Sequence, residues 1–477
     1  GELDAAVDAG AAGLHGIGIE PGDRVALVLG NVPAFVEAYY AVLRAGAIAV
    51  PLNPGSTADE LRYVLEDSGA RAVVVRAGLL DAVVEIQGQL DTLEHVIVVG
   101  ETRADGLRRW RDLLAASRDA EPPGDTARGG DDLAALVYTS GTTGRPKAAM
   151  LTHANLAANQ DQSLAGRFRI GSDDTVLLVL PLFHIYALNV GLGASLKVGA
   201  SMLLLERFDP ATSLEEIAHH DITIVLGAPP MYIAWLGTPG AADGAMSSVR
   251  LAVSGAAALP AQVLERFEEA FGLTIEEGYG LTEASPSVTS NAMAPAARPG
   301  SVGLPLPQVE LKLVDDEGRE VQPGDPGEVL VRGPNVFAGY WKDDDATAAA
   351  LTEDGWLRTG DVGTFDEDGY LFLVDRKKDL IIVSGFNVYP REVERALYQH
   401  PGVAQAAVVG IPHPYTGEAV RAYVVPRDSA DLIEDDLIDH CRTYVARYKC
   451  PTSVEIVDEL PHTAIGKVRR VELREED

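Results

Sequence analysis

The sequence predicts an α/β protein: a large N-terminal part of doubly wound βαβ units, a small β-barrel-like subdomain, and a small α+β unit at the C-terminal end. Three observations carry this reading. Short β-branched runs alternate with helix-period segments over the first half, the pattern of parallel strands covered on both faces. From Val309 to Val331 the runs shorten and turn signals crowd between them, as at Asp316-Glu317-Gly318 and Pro323-Gly324-Asp325, which fits an antiparallel subdomain or barrel. A basic cluster, Arg376-Lys377-Lys378, then sets off a compact final stretch with helices and strands of its own.

Taken in order, residues 24–29 read as a strand, 36–44 as a helix, 48–52 as a strand, 59–67 as a helix and 72–75 as a strand. Further strands are expected at 96–99, 133–138, 175–180, 223–226 and 251–253. The apolar stretch 176–196 is long enough to span a bilayer. It contains Pro181, His184, Asn189 and several glycines, and a buried strand, turn and helix of an α/β core accounts for it better. The last unit should hold a helix at 391–400, strands at 406–409 and 419–425, and a helix at 434–448. The expected divisions are 1–375 (with the β-rich part at about 300–375), a connector at 376–378, and 379–477.

Composition narrows the function. The chain has 477 residues, room for about three average domains, and 47% of them are hydrophobic, so large cores are available. Lys and Arg number 39 against 71 Asp and Glu, a net charge of −32, which repels nucleic-acid phosphates and anionic membranes. Two cysteines, Cys441 and Cys450, make neither a disulfide framework nor a four-ligand zinc site. Residues 1–12 carry three acidic side chains and no basic one, unlike a secretory signal, so the expectation is a cytoplasmic protein without an integral membrane segment.

Four constellations could carry chemistry. Tyr138-Thr139-Ser140-Gly141-Thr142-Thr143-Gly144-Arg145-Pro146-Lys147 follows a strand and offers hydroxyls, two glycines and a cation to an oligophosphate. Its spacing differs from the Walker A loop. Glu277-Gly278-Tyr279-Gly280-Leu281-Thr282-Glu283 sets a Tyr between glycines, which lets a ring lie against a flat base, and follows it with oxygens suited to a phosphate and its Mg²⁺. Thr359-Gly360-Asp361 reads as a turn whose carboxylate could accept from sugar hydroxyls. Lys467, in the turn 461–467, stands out in so acidic a chain because a loop tip of a small unit can present a movable cation.

Together these motifs resemble the adenylate-forming superfamily, in its order and spacing and from about Gly22 to Arg470, with the nearest likeness to fatty-acyl-CoA synthetases. Residues 181–184, 327–333 and 384–390 support the likeness. The resemblance implies ATP-dependent formation of acyl-AMP and pyrophosphate, then displacement of AMP by CoA, in a protein whose small C-terminal domain is mobile. By position, Thr139 to Lys147 would hold the β- and γ-phosphates, with Thr142 and Glu283 at Mg²⁺ and Thr282 at the α-phosphate. Tyr279 would stack on adenine opposite Gly255, Ala256 and Ala257, with Glu277, Gly278 and Gly280 around it; Asp361 and Arg376 would hold the ribose. Lys467 would bridge the carboxylate and α-phosphate, His184 would sit beside the acyl carboxylate, and Lys378 would be the hinge. Ser384, Gly385 and Phe386 would meet CoA in a second pose. The chain departs from the family at Ala148-Ala149 and Ile465, and the family also carries residues ahead of Gly1.

The resemblance also bears on the acid. Amino-acid-activating members carry an Asp near His184 and malonate-activating members an Arg where Gly278 stands; both are missing here, which implies an uncharged acyl tail. Phe183, Ala187, Gly191, Ala228 and Pro229 would wall its pocket, and a medium- or long-chain fatty acid is the first expectation. An aryl acid, transfer to a carrier protein's phosphopantetheine, or a silent acyl-AMP binder are the alternatives, and a homodimer is allowed. Among the alternatives, the silent binder fits worst, because Lys147, Glu283, Asp361, Arg376 and Lys467 are all present.

Overall fold

The computed structural model describes the chain apart from residues 103–106, 122–128, 140–144, 168, 242–243, 258, 377–378, 385, 428–429, 464–465 and 476–477. Ser140, Gly141, Thr142, Thr143, Gly144, Lys378 and Gly385, singled out above, lie outside the described residues.

Two seven-stranded sheets build the large part. The first runs in the spatial order Arg108–Arg109, His95–Val99, Ala72–Arg76, Arg24–Val28, Ile48–Pro51, Leu133–Thr139, Lys147–Thr152, and only the last strand is antiparallel to its neighbour. Alternate side chains of its strands enter different cores: Val25, Leu27 and Val74 face one, while Ala26, Val28, Val73 and Val75 face the other. Burial on both faces is what a parallel sheet between two helix layers requires. The helices are specified locally. Pro33 opens Pro33–Arg44, and Thr57 and Glu60 form a capping box on Ala58–Ser68, which Gly69 ends in the left-handed region.

In the second sheet, Ile275–Gly280, Leu251–Ser254, Ile224–Gly227, Thr175–Leu178 and Ser201–Leu204 are parallel, and Ser287–Ser290 and Leu304–Pro305 add an antiparallel edge. The apolar run 176–196 folds as expected into strand and helix, but the helix starts as a π-helix, Tyr186–Gly193, before Ala194–Val198. Among the described residues no helix is long and apolar enough to cross a membrane.

Glu310–Val314, Gly327–Arg332, Leu357–Phe365 and Leu371–Arg376 form an antiparallel meander in sequence order, without a pairing between its first and last strands among the described residues. Its last strand also exchanges hydrogen bonds with residues 302–303, Val302 N to the Leu371 carbonyl and Leu371 N to the Gly303 carbonyl, which joins the meander to the edge of the second sheet. The final unit pairs Phe386–Val388, Ile381–Val383, Gly417–Pro426, Val403–His413 and Ser453–Ile456 in a five-stranded sheet over its own apolar clusters.

One local expectation is corrected. Thr359-Gly360-Asp361 lies inside the nine-residue strand Leu357–Phe365, not in a turn, because Gly360 (φ 69°) bends the strand without ending it. The glycines around Tyr279 belong to the strand Ile275–Gly280, where a bulge falls between Tyr279 and Gly280. They are needed for close approach: a Cβ on Gly280 would stand 2.2 Å from the Pro286 carbonyl oxygen of the neighbouring chain segment.

Candidate active site

A cavity of about 510 Å³ opens where the strands of both large sheets end, bounded by the meander and by the turn that carries Lys467. Ligands of open α/β sheets collect at such carboxyl ends. Thr139, Lys147, His184, Gly255, Ala256, Gly278, Tyr279, Gly280, Thr282, Glu283, Arg376 and Lys467 all line it, although they are spread from residue 139 to residue 467.

On one side a hydrogen-bonded chain joins three elements. The Tyr279 hydroxyl donates to Asp361 Oδ2 at 2.6 Å, and Arg376 Nε pairs with Asp361 Oδ1 at 3.0 Å. Asp361 is only 5% exposed, and Thr359 Oγ1 accepts from its backbone N–H. Burial, then the Asp361 carboxylate, hold the Tyr279 phenol well above its ordinary range, so it is a permanent donor. On another side Tyr340 donates to Glu283 Oε1 at 2.8 Å, and Lys147 Nζ lies 3.3 Å from Asp343 Oδ2.

His184 follows the turn after Thr175–Leu178. Burial, reinforced by the Lys467 cation, pulls its pKa down to about 4, so the imidazole is neutral near pH 7. Its Nδ1 accepts the Tyr186 N–H at 3.3 Å, which leaves the ring proton on Nε2. Glu277 does not line the cavity. It is buried beneath the motif, its Oε1 accepts from Leu259 N, its Oε2 has no hydrogen-bond partner at normal geometry among the described residues, and burial pushes its pKa up to about 7.

The remaining expected residues divide. Asp361 lies behind Tyr279, and Ala257 misses the cavity wall while Ala256 beside it reaches the wall at φ 70°. Of the five residues expected to wall the acyl pocket, only Phe183 lines the cavity. Ala187, Gly191, Ala228 and Pro229 are core residues; a Cβ on Gly191 would meet Leu178 Cδ2 at 2.7 Å, so smallness there serves packing. The side chains that form the uncharged wall are Tyr186, Val190, Met293 and Leu306 with Ser163, Ser287, Thr289 and Ser290. Ser384 and Phe386 are exposed on the small unit and do not line the cavity. Tyr340 and Asp343 sit in an ordinary turn pattern without a motif around them and were not legible in the sequence, while Arg358 and Tyr186 adjoin segments singled out there without having been named themselves.

The family model for an AMP-binding enzyme matches residues 1–341, and that for an AMP-binding enzyme C-terminal domain matches residues 392–467. The chain belongs to the AMP-binding enzyme family. This AMP-binding enzyme is 37% identical to a long-chain-fatty-acid–CoA ligase of Bacillus subtilis (strain 168), over 96% of this chain and 86% of the relative. It is 41% identical to a feruloyl-CoA synthase of an Amycolatopsis species, over 99% and 92% of the two chains. The structure of ATP-bound MatB from Rhodopseudomonas palustris superposes with a TM-score of 0.92 at 36% identity, covering 99% of this chain and 92% of that one. The enzyme is an AMP-forming acid–thiol ligase that uses ATP.

Proposed function

We propose that the enzyme activates a carboxylic acid with an uncharged acyl tail as acyl-AMP and passes the acyl group to CoA. One observation carries the acid class: among the described lining residues, the only charged side chains are Lys147, Glu283, Arg358, Arg376 and Lys467, and the wall formed by Phe183, Tyr186, Val190, Met293 and Leu306 offers no counter-charge to a charged tail. A medium- or long-chain fatty acid is the first reading, supported by the Bacillus subtilis relative. An aryl acid is the second. It is favoured by the hydroxyls of Ser163, Ser287, Thr289 and Ser290 along that wall, which suit a short substituted ring better than an alkyl chain, and by the feruloyl-CoA synthase relative.

In this reading a carboxylate oxygen attacks the α-phosphorus, the bond from phosphorus to the bridging oxygen breaks, and pyrophosphate leaves with the electron pair. Lys147 holds the leaving phosphates, Asp361 and Arg376 the ribose hydroxyls, and the Tyr279 ring lies against the base. Lys467 faces both the carboxylate and the α-phosphate, where negative charge gathers in the transition state; fixed charges in a closed site are worth about 3–4 kcal/mol each. His184, neutral with its proton on Nε2, can donate to the acyl oxygen without competing for that charge. The thiol of CoA then attacks the acyl carbon and AMP departs. The resemblance supports a turn of the small domain about Lys378 that would bring Ser384 and Phe386 to the site for this step.

Among the described residues no three carboxylate, His or Cys side chains gather to hold a metal ion. Mg²⁺ binds through one or two carboxylates and completes its shell with phosphates and water, so Glu283 fits as its single protein ligand. When bound it would offset the phosphate charge.

Pyrophosphate release with Mg²⁺ and ATP, across acids from acetate to palmitate with benzoate, cinnamate, malonate and amino acids, tests the reading. Release should peak on an acid with an uncharged tail and turn over only with CoA. A peak on malonate or an amino acid overturns the acid class, and release indifferent to CoA points to a carrier-protein acceptor.

A further inference from the structure

Lys147 and Glu283 come from different sheets. Lys147 opens the antiparallel strand of the first, and Glu283 lies in a short 3-10 turn after the second. Residues 337–343 join them. The Met150 and Trp341 N–H groups donate to the Gly339 and Ala148 carbonyls at 2.9 Å each, which lays the segment alongside Lys147–Thr152. At its other end Phe337 N donates to the Glu283 carbonyl at 2.9 Å.

Tyr340 sits in the middle, and its ring is held from several sides. Its hydroxyl reaches Glu283 Oε1 at 2.8 Å, its ring centroid is 5.5 Å from Lys147 Nζ, its backbone N–H donates to Thr347 Oγ1, and Phe337 packs edge-on at 4.9 Å. A single neutral side chain thus meets an anion with its polar tip and a cation with its face.

We propose that Tyr340 is the positioning residue that keeps the Glu283 carboxylate and the Lys147 ammonium separately aimed into the cavity, for the metal and the phosphates respectively. The physical need is plain. Two opposite charges on flexible stems beside one cavity are each given a partner of their own, Glu283 the phenol and Lys147 the Asp343 carboxylate together with the ring face, so that they do not close on each other over the seat meant for a triphosphate. The phenol gives the carboxylate a partner without neutralising it. The ring face gives the ammonium a contact that a phosphate can outbid.

The inference rests on the proposed roles of Glu283 and Lys147, and the test separates the two. ATP binding is measured by calorimetry without acid, in EDTA and across a Mg²⁺ titration, for the wild type, Tyr340→Phe, Glu283→Gln and the double variant. Tyr340→Phe should weaken Mg²⁺-dependent ATP binding by about tenfold, the size of one hydrogen bond to a charged group, with an unchanged melting temperature. The double variant should lose little beyond Glu283→Gln alone, because the hydroxyl acts through that carboxylate. Wild-type binding by Tyr340→Phe, or fully additive losses, overturns the role of Tyr340 while Glu283 keeps its own. If Glu283→Gln leaves the Mg²⁺ dependence intact, the metal role of Glu283 falls and this inference with it.

Discussion

Ionisation at single residues separates chemistry from scaffolding in this site. His184 is held neutral by burial and by Lys467, so it adds no charge to a cavity that has to receive a triphosphate and a carboxylate. Lys467→Ala should cut acid-dependent pyrophosphate release by about 10²–10³, the effect of one lost electrostatic donor. Supplied acyl-AMP should still be converted to acyl-CoA, and equal loss in both steps would place Lys467 outside the first. Glu277 makes the opposite case: a carboxyl whose pKa burial pushes up to about 7 and which does not line the cavity. Below the ordinary glutamate range folded and unfolded chains both hold its proton. From there to about pH 7 only the folded chain holds it, so its contribution to stability is lost as pH rises through that window. Glu277→Gln, neutral throughout, should gain stability over the wild type as pH rises from about 4.5 to about 7, reaching about 3 kcal/mol at the upper end. A melting-temperature gap that stays constant with pH would contradict this.

Among the elements, the strand Ile275–Gly280 shows how the nucleotide motif is built. Its parallel pairing with Leu251–Ser254 brings Gly255 and Ala256 close to Tyr279, and its antiparallel pairing with Ser287–Ser290 presses Gly280 onto Pro286. Gly280→Ala should therefore force these strands apart, destabilising the protein by about 1–3 kcal/mol and weakening ATP binding together. Normal ATP affinity with lowered stability would mean that the motif tolerates the shift. The hydroxyl-rich motif ahead of Lys147, the Tyr279 motif and the Asp361 segment were all legible from residue types and spacing. Their secondary structure was less so, since Gly360 and the glycines flanking Tyr279 look like turn residues until neighbouring strands show why a side chain is excluded. Ala187, Gly191, Ala228 and Pro229, expected at the acyl wall, lie in the core and off the cavity lining, because a small residue beside a cavity and a small residue under a helix look alike in a sequence.

At the scale of the whole molecule, the cavity is completed by a part of the chain with its own sheet and cores. Two contacts hold that unit where Lys467 reaches the cavity. Asp375, at the end of the meander, accepts the Arg391 N–H at 2.8 Å at the start of the helix Pro390–Tyr398. Gly466, at φ 76°, lies so near the large part that a Cβ would stand 2.6 Å from Pro230 Cγ. Gly466→Ala should therefore push the Lys467 turn out and lower adenylation by about tenfold or more, through strain at a left-handed residue and a clash at the contact. Conversion of supplied acyl-AMP should suffer far less. Equal effects on both steps would show that this contact does not set the pose.

Sequence alone determined the α/β class, the separate C-terminal unit, and the residue types proposed to meet phosphate, base and ribose. These are local properties: periodicity, turn chemistry, and hydroxyl or charged groups clustered within a few positions. Only the tertiary structure decided that Asp361 is held between Tyr279 and Arg376, that Tyr340 stands between Lys147 and Glu283, and which side chains form the uncharged wall. Those pairings join residues 15 to 193 positions apart in the chain. Contacts over such separations depend on strand register and on where a segment crosses its neighbour, and no window of sequence encodes either.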